Sequence, residues 1–192
     1  MWWLEVVGKA GGWAGRGARI ASVLGLSVLL AGCFQPLYSS HSVTGDPVVH
    51  TRLAEVDIAQ IPAANGTALS RLAVEVRNNL VFGFTGGGSP PPPAYRLNVR
   101  MVSSELSVLV DIRTGRPDVD NATLDAFYEL VDLKTGKVVL RDQTFARVSY
   151  DIPGQEQRFA RARGLRDAEN RAAKVVSDNI QARLASFFVA GT

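Results

Sequence analysis

The sequence predicts an α/β two-layer sandwich: a mixed sheet of about four strands with two helices packed on one face, in the order β-α-β-β-β-α. Three observations carry that prediction. Polar and apolar side chains alternate in several segments between residues 52 and 150, apolar stripes of helical period run over 69–80 and 165–187, and Lys134-Thr135-Gly136-Lys137 is a hairpin signal inside the alternating region.

Strand one is read over Arg52–Ile61, where Leu53, Val56, Ile58 and Ile61 fall among polar neighbours. Asn65-Gly66-Thr67 then supplies turn and N-cap chemistry, and Leu69, Leu72, Ala73, Val76 and Leu80 recur at helical spacing opposite Arg71, Glu75, Arg77 and Asn78. This predicts a first helix from about Ala68 to Phe82. The Gly- and Pro-rich stretch from Gly83 to Pro93 terminates it and forms a loop with a short stiff spacer.

Tyr95, Leu97, Val99 and Met101 mark one face of strand two, which continues through Leu106–Ile112 with a bulge expected at Ser103-Ser104. Arg113–Pro117 turns the chain. Ala122, Leu124, Ala126, Tyr128 and Leu130 define strand three, and Val138–Tyr150 strand four, with an irregularity expected near Asp142-Gln143. From Gln157 onward Leu165, Ala168, Ala172, Val176, Ile180, Leu184 and Phe187 form the stripe of a long C-terminal helix, with Gly164 a weak point near its start. Its charged residues Arg163, Asp167, Arg171, Lys174, Asp178 and Arg183 are read as a solvated face.

The N-terminal region has a separate logic. Basic Lys9, Arg16 and Arg19 precede an apolar run of about 11 residues, Ile20–Leu30, against the roughly 20 that span a bilayer, and Leu30-Ala31-Gly32-Cys33 closes it with the only cysteine. That order is a lipobox. It divides the chain into a signal peptide over 1–32, a lipidated N-terminus and tether over 33–50, and a domain over 51–192. Three acyl chains on Cys33 anchor a protein stably without a transmembrane helix, and Phe34, in place of an aspartate, directs sorting to the outer membrane on its periplasmic side. The acidic, Trp-rich opening Met1-Trp2-Trp3-Leu4-Glu5 is what a start assigned too far upstream would produce.

Composition narrows the function. Removing Lys9, Arg16, Arg19 and Glu5 from the 21 basic and 18 acidic residues leaves 18 and 17, a balance that does not point to nucleic acid. Both histidines, His41 and His50, fall at or before position 50, so the domain has no imidazole or thiol for a nucleophile–base pair or a zinc site. No catalytic, metal or cofactor site is expected, the covalent lipid on Cys33 aside. A Ser/Asp arrangement or paired carboxylates such as Asp118 and Asp120 could act in hydrolysis without histidine, and turn chemistry beside Pro117 accounts for these two aspartates. Asn65-Gly66-Thr67 and Asn121-Ala122-Thr123 match the glycosylation sequon and are read as ordinary turn and strand residues.

Two segments carry a family resemblance. Cys33-Phe34-Gln35-Pro36-Leu37-Tyr38 resembles the Cys-Gly-Phe-x-Pro-Leu-Tyr opening of the lipopolysaccharide-assembly lipoproteins LptE of alphaproteobacteria, without the glycine after the cysteine. Ser149-Tyr150-Asp151, Phe159-Ala160, Asp167-Ala168, Arg171-Ala172, Ile180 and Arg183-Leu184-Ala185 are similar to that family's last strand and long helix. The resemblance implies a non-catalytic partner of the outer-membrane barrel LptD, partly inside its lumen, supporting its assembly and the delivery of lipopolysaccharide. Phosphates and acidic sugars call for arginine or lysine, and the candidates are Arg113 and Arg116 after strand two, Lys134 and Lys137 in the hairpin, and Arg96 and Arg100 on the polar face of strand two. The rival reading is an auxiliary lipoprotein of an envelope lipid transporter of the ABC type.

Overall fold

A computed structural model describes residues 49–111, 116–151 and 158–190, with side chains described except at 107–111, 116–118 and 158. Cys33, the tether and Arg113 lie outside the described residues. Helix α1 (Val49–Ala54), strand β1 (Val56–Ile58), helix α2 (Ala68–Thr85), strands β2 (Tyr95–Asp111), β3 (Arg116–Asp132) and β4 (Val138–Asp151), and helix α3 (Arg158–Ala190) follow in order. The sheet order is β1-β2-β3-β4. β1 pairs parallel with β2 and the other pairs are antiparallel, so the sheet is mixed and the expected α/β architecture holds.

The first strand differs from the sequence reading. Arg52–Ala54 belong to α1, where Glu55 N–H donates to Thr51 O at 3.2 Å and Leu53 is buried, and only Val56–Ile58 are extended. Leu53 and Val56 are three apart, which puts them on one stripe of a helix and on opposite faces of a strand, so the alternation that reads as a strand holds only from Val56 onward. Ala59 N–H makes the last contact to β2, to Leu97 O at 3.0 Å, and Pro62 has no donor to extend the ladder.

Helix α2 begins as its sequence predicts, with the Thr67 hydroxyl accepting from Ser70 N–H at 3.2 Å. It ends three residues later than expected. Gly83 is inside the helix, and the stop is Gly86, left-handed at φ 60°, whose N–H donates to Phe82 O at 2.8 Å. Gly83 has a packing reason instead. Gln181 of α3 donates to its carbonyl at 3.2 Å, and a Cβ there would collide with the Gln181 carboxamide.

Helices α2 and α3 run parallel, with Arg71 at Glu169, Val76 O accepting from the Ser177 hydroxyl at 3.5 Å, and Gly83 at Gln181. Their buried residues, Leu72, Val76, Leu80 and Phe84 with Ala168, Ala172, Val176, Ile180 and Leu184, meet the sheet face made by Leu97, Val99, Met101, Leu124, Ala126, Tyr128, Leu130, Leu140, Ala146 and Tyr150. Small Ala168, Ala172 and Ala173 bring α3 close to the strands, while Ile180 and Leu184 fill its C-terminal half.

Irregularities fall elsewhere than predicted. β2 and β3 stay in register through Ser103↔Leu124 and Ser104↔Thr123 and shift at Ser107/Leu109 and Leu109/Val110. β4 is regular at Asp142–Gln143, and the shift comes where Leu130 pairs Leu140 but Val131 pairs Val138, leaving Val139 as the extra residue beside the hairpin.

Ile180→Ala or Leu184→Ala is expected to cost about 2–5 kcal/mol in denaturant unfolding, since both are fully buried. Gly164→Ala should act in the opposite sense. A Cβ there would meet Tyr150 Cδ2 at 3.6 Å, an ordinary contact, so a stability gain of up to about 1 kcal/mol from helix propensity is expected.

Candidate functional site

Both long helices pack on one sheet face, and among the described residues nothing covers the other. Strand alternation and register place Arg96, Asn98, Arg100, Val102, Ser104 and Leu106 of β2, Asn121, Thr123, Asp125, Phe127, Glu129 and Val131 of β3, and Arg141, Gln143, Phe145, Arg147 and Ser149 of β4 on it. Val102, Phe127 and Phe145 are 55%, 42% and 62% exposed, unusual for large apolar side chains so close together. Arg100 and Phe127 are direct cross-strand partners, and Phe127 in turn faces Gln143. An open depression of about 400 Å³ lies here between Asn98, Arg100, Phe127, Glu129, Arg141 and Gln143. A second, lined by Pro62, Arg100, Val102 and Phe127, and a third, lined by Leu106, Asp125, Phe145 and Arg147, continue along the strands.

The charges on this face divide into satisfied and free. Arg96 pairs with Asp57 at 3.1 Å, and Arg141 with Glu129 at 2.8 Å, both cross-strand. Arg100 and Arg147 make no ion pair among the described residues. The face therefore offers two guanidinium groups and one carboxylate, that of Asp125, without an ion pair, beside four exposed apolar side chains, Val102, Leu106, Phe127 and Phe145, with Arg100 and Arg147 on either side of the Val102–Asp125–Phe145 row, a pattern suited to an amphiphilic ligand that carries more than one anionic group.

The outer edge of β4 is guarded. Gln143 N–H donates to the Asp142 carboxylate at 2.8 Å, and Arg171 of α3 donates to Ser149 O at 3.5 Å, so two backbone groups that a docking strand would need are engaged. Asp142 is further tied to Arg183 at 2.8 Å, and this hydrogen bond, with that from Gln143, holds its carboxyl below the usual carboxylate range. Recognition through the face is thus favoured over recognition through this edge.

A polar cluster lies at the far end of the covered face. Asp120 is buried, and its Oδ2 accepts from the Tyr150 hydroxyl at 3.4 Å and from Arg161 at 3.2 Å; Tyr150 also lies 3.4 Å from Glu105. Asp120 is therefore a buried strand residue held by an arginine, not the turn residue the sequence suggested, and the Asp118 side chain lies outside the described ones. Glu169 is likewise buried, against Arg71 of α2, and burial raises its carboxyl above the usual range despite that pairing. Arg71 was expected on the solvated face of its helix, and Glu169 carried no sequence signal. Among the described residues no cluster of three or more His, Cys, Asp or Glu could hold a metal, and no helix is long and apolar enough to cross a membrane.

The predicted cations do not converge. Arg96 and Arg100 lie on the uncovered face. Lys134 and Lys137 are exposed in the β3–β4 hairpin, where Asp132 Oδ1 accepts from Lys134 N–H at 2.7 Å and Gly136 is left-handed at φ 69°. Arg116 begins β3 opposite Asp111, at the other end of the 17-residue β2. At roughly 3.3 Å per residue that strand spans about 55 Å, so the hairpin lysines and Arg116 serve different places. Arg147 was missed because its strand was read for the buried set alone.

No family model matches the chain, and no curated protein does. Solved structures share its fold. A protein from Caulobacter crescentus described as a lipoprotein aligns over 75% of this chain and 97% of its own length, at 21% identity and a TM-score of 0.57. Rare lipoprotein B from Shewanella oneidensis aligns over 70% and 96%, at 15% identity and 0.52, and a lipoprotein B of uncharacterised function from Nitrosomonas europaea over 71% and 84%, at 12% and 0.53. The chain thus has a fold found among bacterial lipoproteins.

Two buried phenols give the domain a pH signature. Burial, aided by Asp142, pushes Tyr128 up to about 12, and burial, aided by Glu105 and Asp120, pushes Tyr150 up to about 12, with Arg183 and Arg161 opposing. Both folded-state values exceed the unfolded value near 10, so the unfolded chain loses these protons first and stability should fall as pH rises from about 10 to 12. Urea midpoints across that range should decline less steeply for Tyr150→Phe than for the unaltered protein.

Proposed function

We propose that the chain is an outer-membrane lipoprotein, lipid-anchored through Cys33 and facing the periplasm, that partners the LptD barrel, supports its assembly and helps deliver lipopolysaccharide to the outer leaflet. It does so without catalysis. The uncovered sheet face carries this reading: free Arg100 and Arg147 beside exposed Val102, Phe127 and Phe145 suit a phosphorylated, acylated amphiphile. The Leu30-Ala31-Gly32-Cys33 sequence and a fold found among bacterial lipoproteins support the anchor. Arg96, spent on Asp57, contributes less than Arg100 to an anionic ligand.

Cys33→Ala is expected to abolish incorporation of labelled palmitate and release the chain from the membrane pellet; unchanged labelling removes the premise. Depletion of the protein should lower assembled LptD barrel and surface lipopolysaccharide together. Purification from detergent-solubilised membranes should yield a large barrel, whereas recovery of an inner-membrane transport complex would favour a lipid-transporter auxiliary. Arg100→Ala with Arg147→Ala should weaken lipopolysaccharide binding roughly tenfold at low salt and less at high salt, by loss of charge-assisted hydrogen bonds. Neutralising Arg113 and Arg116 separately from Lys134 and Lys137 tests the two ends of the hairpins, and normal lipopolysaccharide binding by both pairs would leave the sheet face as the contact.

A further inference from the structure

The opposite ends of the two layers differ in character, and one of them is built for a surface. Tyr95 opens β2 opposite Asp132, the end of β3, and the hairpin follows at once. Because α2 and α3 are parallel, both end here, with the Phe188 ring 5.3 Å from that of Tyr95. The chain also enters the domain here, His50 of α1 lying next to Gly86 at the α2 terminus. Large apolar side chains stand exposed around this end: Phe82, Leu133, Val138 and Val189. None of them lines the depressions described above, so they present a surface and not a groove.

The charge at this end is complementary to an anionic surface. Lys134 and Lys137 are exposed and unpaired among the described residues, while the nearby carboxylates are engaged: Glu55 by Arg52, Asp57 by Arg96, Asp142 by Arg183, and Asp132 by the N–H groups of Lys134 and Thr135. Fifteen residues separate Cys33 from Val49, a reach of at most about 55 Å. A domain tethered so closely is held within one protein diameter of the leaflet that holds its lipid, by the end from which the tether emerges.

We propose that, when no protein partner is bound, this end rests on the phospholipid leaflet, with Leu133, Val138, Phe82 and Val189 at the headgroup boundary and Lys134 and Lys137 on lipid phosphates. The proposal rests on acylation of Cys33 and is independent of the barrel and of lipopolysaccharide. It assigns the hairpin lysines to the membrane and leaves the sheet face free for another ligand.

Tryptophan provides the probe, because all three tryptophans, Trp2, Trp3 and Trp13, precede Cys33. In the full chain with these three changed to Phe, Leu133→Trp and, separately, Val138→Trp report on this end, and Phe145→Trp on the uncovered face. The acylated proteins are reconstituted in vesicles of phosphatidylcholine and phosphatidylglycerol carrying acyl-brominated lipid, with flotation confirming association. Quenching at 133 and 138 at least twofold stronger than at 145 is expected, and Lys134→Glu with Lys137→Glu should bring the three positions toward equality. Floating protein with equal quenching at all three positions, or with strongest quenching at 145, overturns the proposal while leaving acylation intact. Failure to float, with no palmitate on Cys33, removes the anchor and the proposal together.

Discussion

The rest of the structure depends on α3 lying along β3 and β4 while α2 lies beside it. One helix of 33 residues, about 50 Å long at 1.5 Å per residue, supplies most of the apolar cover for a sheet whose three long strands run 14–17 residues. Small residues at Ala168, Ala172 and Ala173 allow close approach where the strands twist beneath it, and Ile180 and Leu184 fill the space beyond. Because both long helices are committed to the same face, no described residue covers the opposite one. The apolar residues found there are not a failure of burial but the direct consequence of a single helical layer.

That same packing explains why charged residues sit inside. Arg71 and Glu169 meet across the α2–α3 interface, and Ser177 sends its hydroxyl to Ala173 O at 2.8 Å within its own helix. Burial costs Glu169 more than Arg71 returns, as the direction of its titration states, so the pair is better understood as fixing the register of two parallel helices than as a source of stability. Asp120 follows the same rule at the end of the sheet, where Arg161 reaches in from the first turn of α3 to hold the place at which helix and strand meet.

Much of this fold was legible because its elements repeat a period often enough to be read. Leu97, Val99 and Met101 alternate without interruption, and the stripe from Ala168 to Leu184 holds helical spacing for five turns. What was not legible is local or pairwise. Leu53 and Val56 share a stripe only on a helix, being three apart, and α1 was overlooked because the alternation that starts at Val56 was extended back through it. Val139 became the extra residue through its position beside a tight hairpin, not through any residue type. Arg71 was read on a solvated face and Asp120 as a turn residue because burial of a charge depends on its partner, which lies 98 residues away for Arg71 and 41 for Asp120. The candidate site shared this division: Arg100 was found from alternation alone, whereas Arg147 and Phe127 gained meaning only once three strands were set side by side.

The uncovered face is open and shallow, which decides what kind of recognition it can support. A deep pocket binds a free small molecule by enclosing most of its surface, whereas a flat sheet with two unpaired arginines and four exposed apolar groups encloses little of any ligand. Such a face is effective when the encounter is already confined to a membrane, because confinement raises the effective concentration of both partners and weak contacts then suffice. The guarded β4 edge closes one side of the sheet, whereas β2 beyond Leu97, which β1 does not reach, keeps an unpaired edge among the described residues. With the acyl anchor proposed at Cys33, the membrane would supply the proximity that the shallow amphipathic face does not supply for itself.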